Sequence, residues 1–146
     1  MTLETTANLE FLNWVVCETL RFQSPASSTS FYEFTQDTKI GNLRVRKGDE
    51  FTINLNGLHY NGEEWQRPHE FIPERFDLSS PLSLTASGKK RHPTSWSPFS
   101  GGKRICFGKT FAEANLKVVA TYLSQSFNFK FVNPKHEDKI PTATFG

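Results

Sequence analysis

Apolar residues recur at helical spacing in two stretches of the chain. In residues 8–22 they fall every three or four positions, and a Ser-Pro pair at 24–25 provides a stop signal. In residues 109–125 one stripe is formed by Ala112, Leu116, Val119 and Leu123. The spacing therefore predicts one helix at 8–22 and a second at 109–125.

Between these two helices the hydrophobic period changes to two. Phe51, Ile53 and Leu55 alternate with polar residues. Gly-Asn at 41–42 and Gly-Asp at 48–49 are turn signals. Short antiparallel strands are predicted here, and the alternating residues from Phe51 to Leu55 form one of them.

The stretch 61–98 carries five prolines, which exclude a long helix or a central strand. It is predicted to be either an ordered meander or a flexible loop, and its Trp and Phe residues favour packing. After the second helix, phenylalanines at 127, 129 and 131 alternate with polar residues and predict a last strand. The order helix, strands, meander, loop, helix, strand indicates an α+β fold without βαβ units.

Composition and charge narrow the possible functions. The 146 residues fit one domain, and the net charge of +2 comes from Lys and Arg mixed with Asp and Glu, not from a basic stripe. Nucleic acid is therefore not an expected partner. The two cysteines, Cys17 and Cys106, lie far apart and predict reduced thiols, not a disulfide framework. The acidic first residues and the short apolar run at 11–16 predict no membrane anchor in the chain as given.

The most distinctive motif is the glycine-rich segment 99–110, FSGGKRICFGKT. A phosphate-binding loop of the form GxxxxGK(S/T) would need a glycine where the chain has Lys103. A zinc site needs paired Cys and His ligands, and neither residue type lies within ten positions of Cys106. A nucleophilic cysteine and a buried structural cysteine both stay open as alternatives.

The surroundings of Cys106 favour a further interpretation. Two cations, Lys103 and Arg104, and the N-terminal end of the second predicted helix all favour a thiolate. The glycines on both sides allow close approach of a flat ligand. One soft anionic ligand and an arginine that can bind a carboxylate would suit a haem with its propionates.

The same segment resembles the FxxGxRxCxG signature of the cytochrome P450 haem-thiolate monooxygenases. Every specified position is matched, by Phe99, Gly102, Arg104, Cys106 and Gly108. Two more motifs follow the family's order. ETLR at 18–21 is similar to the ExxR of the family's K helix, and FIPERFD at 71–77 is similar to its PERF segment. Three motifs in one order make the resemblance specific.

The resemblance implies that residues 1–146 form a partial P450 domain, the C-terminal third of a mainly helical fold. Its parts would be the K helix, small antiparallel strands, the meander, the Cys-ligand loop and the L helix. The upstream helices, including the I helix, are expected to be absent, and the chain is expected to stop in a hairpin near 140–146. Without those helices, one side of the partial domain would be uncovered and would expose an apolar patch at Val15, Trp96, Phe99 and Phe111.

Roles for the loop residues also follow from the resemblance. Cys106 would be the axial ligand of the haem iron, and Arg104 would hold a propionate. Phe99 would pack against the porphyrin, and Gly102 and Gly108 would let the loop approach it closely.

A buried charge triad beneath the haem is implied by the resemblance for Glu18, Arg21 and Arg75. Taken alone, Glu18 and Arg21 are an i, i+3 helix pair, which usually lies at the surface. Segments 26–31 and 142–144 correspond to substrate-facing parts of the family. Phe31-Tyr32 stands where many members carry a basic residue for a propionate.

The implied activity is that of a monooxygenase. It would bind haem b (iron protoporphyrin IX) and oxidise a small organic substrate with O2, using electrons from an NADPH-dependent reductase or another donor. Lys103 and Lys109 resemble the surface that receives those electrons, although a solvated charged rim fits equally well. Relatives commonly lie on the cytosolic face of the endoplasmic reticulum through an N-terminal anchor, which this chain is expected to lack; its own location is unknown. The alternative is a truncated, non-catalytic haem-binding fragment or pseudo-enzyme.

Overall fold

The computed structural model describes residues 9–132. Two long helices lie near the ends of this range, with small strands and tight turns between them. The helices are α1 (Glu10–Phe22), α2 (Leu55–His59) and α3 (Lys109–Ser126). The strands are β1 (Tyr32–Glu33), β2 (Thr38–Ile40), β3 (Leu43–Val45) and β4 (Glu50–Phe51). Short 3₁₀ turns span Pro73–Phe76, Pro81–Ser83, Pro93–Ser95 and Gly102–Arg104.

The helix predicted at 8–22 is observed as α1, and the helix predicted at 109–125 is observed as α3. The N–H of Gln23 bonds to the carbonyl of Thr19 and closes the last turn of α1. The buried residues of α1 are Val16, Glu18, Leu20 and Arg21, which are spread over more than one side of the helix. The apolar stripe thus predicted the helix but not the burial of the two charged residues.

The antiparallel strands form two small sheets. In one, β1 pairs with β4, with Tyr32 opposite Phe51. In the other, β2 and β3 form a hairpin in which Ile40 lies opposite Leu43. Gly41, at the tip, has φ of +56°, a left-handed conformation that glycine adopts without a steric penalty.

The predicted strand from Phe51 to Leu55 is wrong beyond Phe51. Strand β4 ends at Phe51, and Asn54 makes a single bridge with Ser28. Leu55 then begins α2 because the side chain of Asn54 accepts the N–H of Gly57 at 2.8 Å. An N-cap of this kind satisfies a free helix donor and competes with continuation of the strand.

The strand predicted at 127–131 is also wrong within the part of the chain that the structure describes. Phe127 is extended, but residues 127–132 pair with no strand of residues 9–132. A strand needs a partner for its N–H and C=O groups, and alternation of residue types does not supply one. The hairpin expected near 140–146 and the substrate-facing segment expected at 142–144 lie outside the described residues.

Residues 61–98 form a meander of short turns held by side chains that bond to backbone carbonyls. Gln66 donates to the carbonyls of Pro81 and Leu84 at 3.1 and 3.0 Å. Arg91 donates to the carbonyl of Arg75 at 2.6 Å, and its guanidinium carbon lies 4.3 Å from the ring centre of the fully buried Trp65. Of the two predicted interpretations, the ordered meander is the one observed.

The most buried side chains lie where α1 meets the meander. The largest of them with no exposed surface are Trp65, Arg21, Arg75, His59 and Glu18. By contrast, α3 has no buried residue, and its Phe111 is 77% exposed. The expected apolar patch is therefore correct at Phe111 only, because Val15, Trp96 and Phe99 are half-buried. Among residues 9–132, no helix combines the length and the apolar character that crossing a bilayer requires.

Candidate functional site

The segment from Phe99 to Gly108 forms a loop that leads into α3. The N–H of Cys106 donates to the carbonyl of Phe99 at 3.0 Å and brings the two ends of the motif together. Within the loop, Gly102 has φ of +65° and begins the 3₁₀ turn that contains Arg104. The N–H of Lys109 bonds to the carbonyl of Cys106 at 3.3 Å, so the cysteine directly precedes the first turn of α3.

Of the two motif glycines, Gly102 is required by its backbone conformation and Gly108 is not. At Gly102 an added Cβ would meet no atom within 4 Å, so the left-handed backbone requires the glycine and steric crowding does not. At Gly108 an added Cβ would lie 3.8 Å from Sγ of Cys106, which is an ordinary contact. A Cβ there would touch one face of the thiol, which glycine leaves uncovered.

A cavity of about 400 Å³ lies beside this loop. The loop contributes Phe99, Arg104 and Cys106 to its lining, and the predicted substrate-facing segment contributes Ala26, Ser28, Thr29 and Ser30. A neighbouring cavity of about 470 Å³ is lined by Gly102, Lys103 and Arg104. Arg104 lines both, together with Thr29, Tyr32, Leu55 and Ser100, so the two cavities are adjacent. Gly108 and Phe31 line neither cavity.

The donor set fits a haem. Cys106 is exposed and is a free thiol, so it offers one soft ligand at the edge of the cavity. Arg104 offers a cation able to bind a carboxylate, and Leu20 and Leu55 offer apolar walls. Among residues 9–132, no group of three or more His, Cys, Asp and Glu side chains is placed to hold a metal ion. Cys106 and Arg104 therefore suit a haem, in which the macrocycle already holds the metal, better than a bare metal ion.

The structure brings the three residues of the expected charge triad together. Glu18 accepts from Nε of Arg21 at 2.7 Å through Oε2, and from Nε of Arg75 at 3.2 Å through Oε1. Its Oε1 also accepts the backbone N–H of Ile72 at 2.8 Å. All three charged side chains have 0% exposure.

Backbone carbonyls surround the two guanidinium groups. Arg21 donates to the carbonyls of His59, Pro68 and Glu70 at 2.8, 2.9 and 3.1 Å. Arg75 donates to the carbonyls of Gln66, Arg67 and Glu70. One carboxylate cannot neutralise two cations, so these oxygens supply the remaining partners. The cluster therefore fixes α1 to the first half of the meander.

His59 belongs to the same region and was not singled out by the sequence analysis. It is fully buried at the end of α2, and its Nε2 accepts the backbone N–H of Ser97 at 3.1 Å. Burial, and then the nearby Arg21, lower the pKa of His59 to about 4. The available signal was its helical spacing of four from the apolar Leu55, but its partners lie 38 residues away in both directions.

Cys17 differs from Cys106 in its surroundings. It is a free thiol, half-buried on α1, and its carbonyl accepts the indole N–H of Trp96 at 3.2 Å. Burial, and then Glu113, raise the pKa of Cys17 to about 11. It is therefore a poor candidate for a thiolate ligand.

Residues 1–145 match the sequence profile of the family described as "Cytochrome P450". The chain belongs to the cytochrome P450 family. Cytochrome P450 82A4 of Glycine max is 33% identical over 141 residues, which cover 96% of this chain and 26% of that protein. The steroid 17-alpha-hydroxylase/17,20 lyase of Felis catus is 31% identical over 147 residues, which cover 99% of this chain and 28% of that protein.

Solved P450 structures share the fold. A retinoic acid-bound cyanobacterial CYP120A1 superposes with a TM-score of 0.76 and 31% identity, over 86% of this chain and 28% of that one. The heme domain of a cytochrome P450DA mutant gives a TM-score of 0.75 and 27% identity, over 88% of this chain and 27% of that one. The predicted P450 fold class is thereby confirmed, and family membership supports a haem cofactor. The chain spans about a quarter of the length of the P450 relatives it matches.

Proposed function

We propose that this chain supplies the cysteine-ligand side of a haem-thiolate monooxygenase. The observation that carries the proposal is the placement of Cys106 and Arg104 on one cavity, which Ala26, Ser28, Thr29 and Ser30 also line, in a chain of the P450 family. The bound group would be haem b, which supplies O2 activation when electrons arrive. A small organic substrate would be oxidised, with an NADPH-dependent reductase or another donor as electron source.

The loop residues have distinct tasks in this proposal. Cys106 would hold the iron through its Sγ, and the face left uncovered by Gly108 would keep that sulfur accessible. Arg104 would bind a propionate, because its guanidinium can pair with a carboxylate at the edge of the cavity. Phe99 would pack against the porphyrin beside the sulfur, because it lines the same cavity and its carbonyl accepts the N–H of Cys106. Gly102 supplies the left-handed turn that places Arg104.

The decisive experiment is the spectrum of the natural full-length protein, loaded with haem and reduced under carbon monoxide. A thiolate ligand gives a strongly red-shifted Soret band. Cys106→His should move the band to the position typical of imidazole ligation, and Cys17→Ser should leave it unchanged. A red-shifted band retained by Cys106→Ser would refute the ligand assignment. A normal band in a protein that turns over no substrate would favour the alternative, a non-catalytic haem-binding module.

Electron delivery is proposed to use the positive charge beside the ligand loop. Lys103 is exposed, and Lys109 begins α3 directly after the cysteine loop. Lys103→Glu should slow reduction by an acidic donor and weaken the dependence of that rate on salt. Lys130→Glu, an equal charge change at an exposed site beyond α3, is the matched control. Equal reduction rates for both variants would indicate that Lys103 belongs to a solvated charged rim and does not bind the electron donor.

A further inference from the structure

His59 touches two different parts of the protein through two different groups. Its backbone carbonyl accepts Nη1 of Arg21 at 2.8 Å, which ties it to the charge cluster of Glu18, Arg21 and Arg75. Its imidazole Nε2 accepts the backbone N–H of Ser97 at 3.1 Å. The residue has 0% exposure, so neither bond competes with bulk water. His59 thus joins the charge cluster to the segment that precedes the ligand loop.

The direction of the second bond fixes the state of the ring. A backbone N–H can only donate, so Nε2 carries a lone pair and the ring proton resides on Nδ1. Within residues 9–132, Nδ1 has no hydrogen-bond partner. Burial lowers the pKa of His59 to about 4, which keeps the ring neutral and Nε2 available as an acceptor.

Ser97 lies two residues before the ligand loop and is held by further hydrogen bonds. Its carbonyl accepts the N–H of Ser100 at 3.0 Å, and its hydroxyl donates to the carbonyl of Thr94 at 2.9 Å. Two residues further on, the carbonyl of Phe99 holds the N–H of Cys106 at 3.0 Å. Ser100 has φ of +61°, an unfavourable conformation for serine that needs support from its neighbours. A shift of Ser97 would therefore be transmitted to the backbone that carries Cys106.

We propose that His59 is a positioning residue that links the buried charge cluster to the cysteine loop by holding the Ser97 backbone with an unprotonated imidazole nitrogen. This rests on the proposed function only in that Cys106 is taken as the ligand whose position matters. The hydrogen bond and its effect on the loop do not depend on that assignment.

Two substitutions separate the acceptor from the bulk of the ring. In His59→Gln, the amide oxygen can occupy the place of Nε2 and accept from Ser97. In His59→Asn, the amide oxygen of the shorter side chain reaches only about as far as Nδ1 of the histidine and so cannot accept from Ser97. Both variants remove the ring, so a role in packing alone predicts similar effects. A role as acceptor predicts that glutamine rescues and asparagine does not.

The measurement is hydrogen–deuterium exchange of the haem-loaded natural protein, read on peptides that cover residues 97–106. We expect His59→Asn to raise exchange in this loop by at least about tenfold and His59→Gln to stay near the natural value. The peptide that contains Ile72, whose N–H bonds to Glu18, is the internal reference and should not change. Equal exchange in the loop for both variants, or an equal rise in loop and reference, would overturn the proposal.

A second measurement covers the case in which His59→Asn does not fold. An ester placed at residue 97 through an α-hydroxy acid removes the donated N–H and leaves His59 intact. We expect it to raise loop exchange as His59→Asn does and to reduce the fraction of red-shifted Soret band in the reduced carbon monoxide complex. An ester variant that matches the natural protein in both would overturn the proposal. If the natural protein itself lacks the red-shifted band, the ligand assignment fails, and the exchange result still decides the role of His59.

Discussion

Glu18 accepts two hydrogen bonds from Arg21, from Nε to Oε2 at 2.7 Å and from Nη2 to Oε1 at 2.9 Å, and both side chains are fully buried. The residues are three positions apart on α1, so the helix itself sets the pair. Arg75 reaches the same carboxylate from the meander at 3.2 Å. One carboxylate therefore pairs with two cations from different elements. For the stability of the protein, the negative charge of Glu18 should matter more than the shape of its side chain.

The first prediction concerns that charge. Glu18→Gln keeps the size of the side chain but leaves two buried guanidinium groups without an anion. Removing one partner of a buried ion pair costs about 3 to 5 kcal/mol of unfolding free energy. We expect a loss of that order in urea unfolding followed by circular dichroism, and Arg21→Ala and Glu18→Ala should prevent folding.

Glu70→Gln is the matched control. Its carboxylate lies 3.5 Å from Arg67 at the surface, with the two side chains 56% and 55% exposed. Pairs of this kind contribute about 0 to 1 kcal/mol. Similar losses for Glu18→Gln and Glu70→Gln would contradict the assignment of a buried charge cluster.

The contrast between these pairs shows what the sequence could and could not predict. By spacing alone, Glu18 and Arg21 are an ordinary helix pair; only the resemblance placed them with Arg75 in a buried cluster. Helices α1 and α3 were predictable because their period is local. The structure of the segment 51–55 was not predictable, because the single N-cap at Asn54 decides that a helix begins at Leu55. His59 escaped notice because Arg21 and Ser97, which define its role, are distant in sequence.

The second prediction uses two adjacent glycines of the ligand loop. Gly102 has φ of +65°, whereas Gly101 is extended with φ of −160° and tolerates any residue. Neither has an atom within 4 Å of an added Cβ, so conformation alone decides the effect. Gly102→Ala should lower the unfolding free energy by about 1 kcal/mol or more, and Gly101→Ala should raise it by about 0.4 to 1 kcal/mol. Thermal unfolding of both variants tests the opposite signs; equal effects would rule out the conformational explanation.

The third prediction concerns pH. The pKa of His59 falls from 6.5 to about 4 on folding, because of burial and then Arg21. Between these values the unfolded chain binds more protons, so the stability that His59 contributes is complete above about pH 6.5 and is lost as pH falls toward 4. The loss should be on the order of 3 kcal/mol.

His59→Gln provides the comparison for that titration, since glutamine does not ionise in this range. From pH 7 to pH 4, we expect the unfolding free energy of the natural protein to fall relative to that of His59→Gln. Urea titrations at several pH values measure it. A difference that stays constant with pH would show that His59 does not titrate below its ordinary range.

The last prediction concerns the thiol that does not serve as ligand. Burial, followed by Glu113, raises the pKa of Cys17 to about 11, while Lys117 acts in the opposite direction. At pH 8 only about one thiol in a thousand would then be ionised, and alkylation by iodoacetamide should be on the order of 100-fold slower than in the urea-unfolded chain. Peptide mass spectrometry reads the Cys17 peptide without any substitution at Cys106. Glu113→Gln should speed the reaction and Lys117→Gln should slow it, because the first removes a charge that disfavours the thiolate and the second removes one that favours it. If both variants shift the rate in the same direction, local opening of α1 controls access to Cys17, and its ionisation does not.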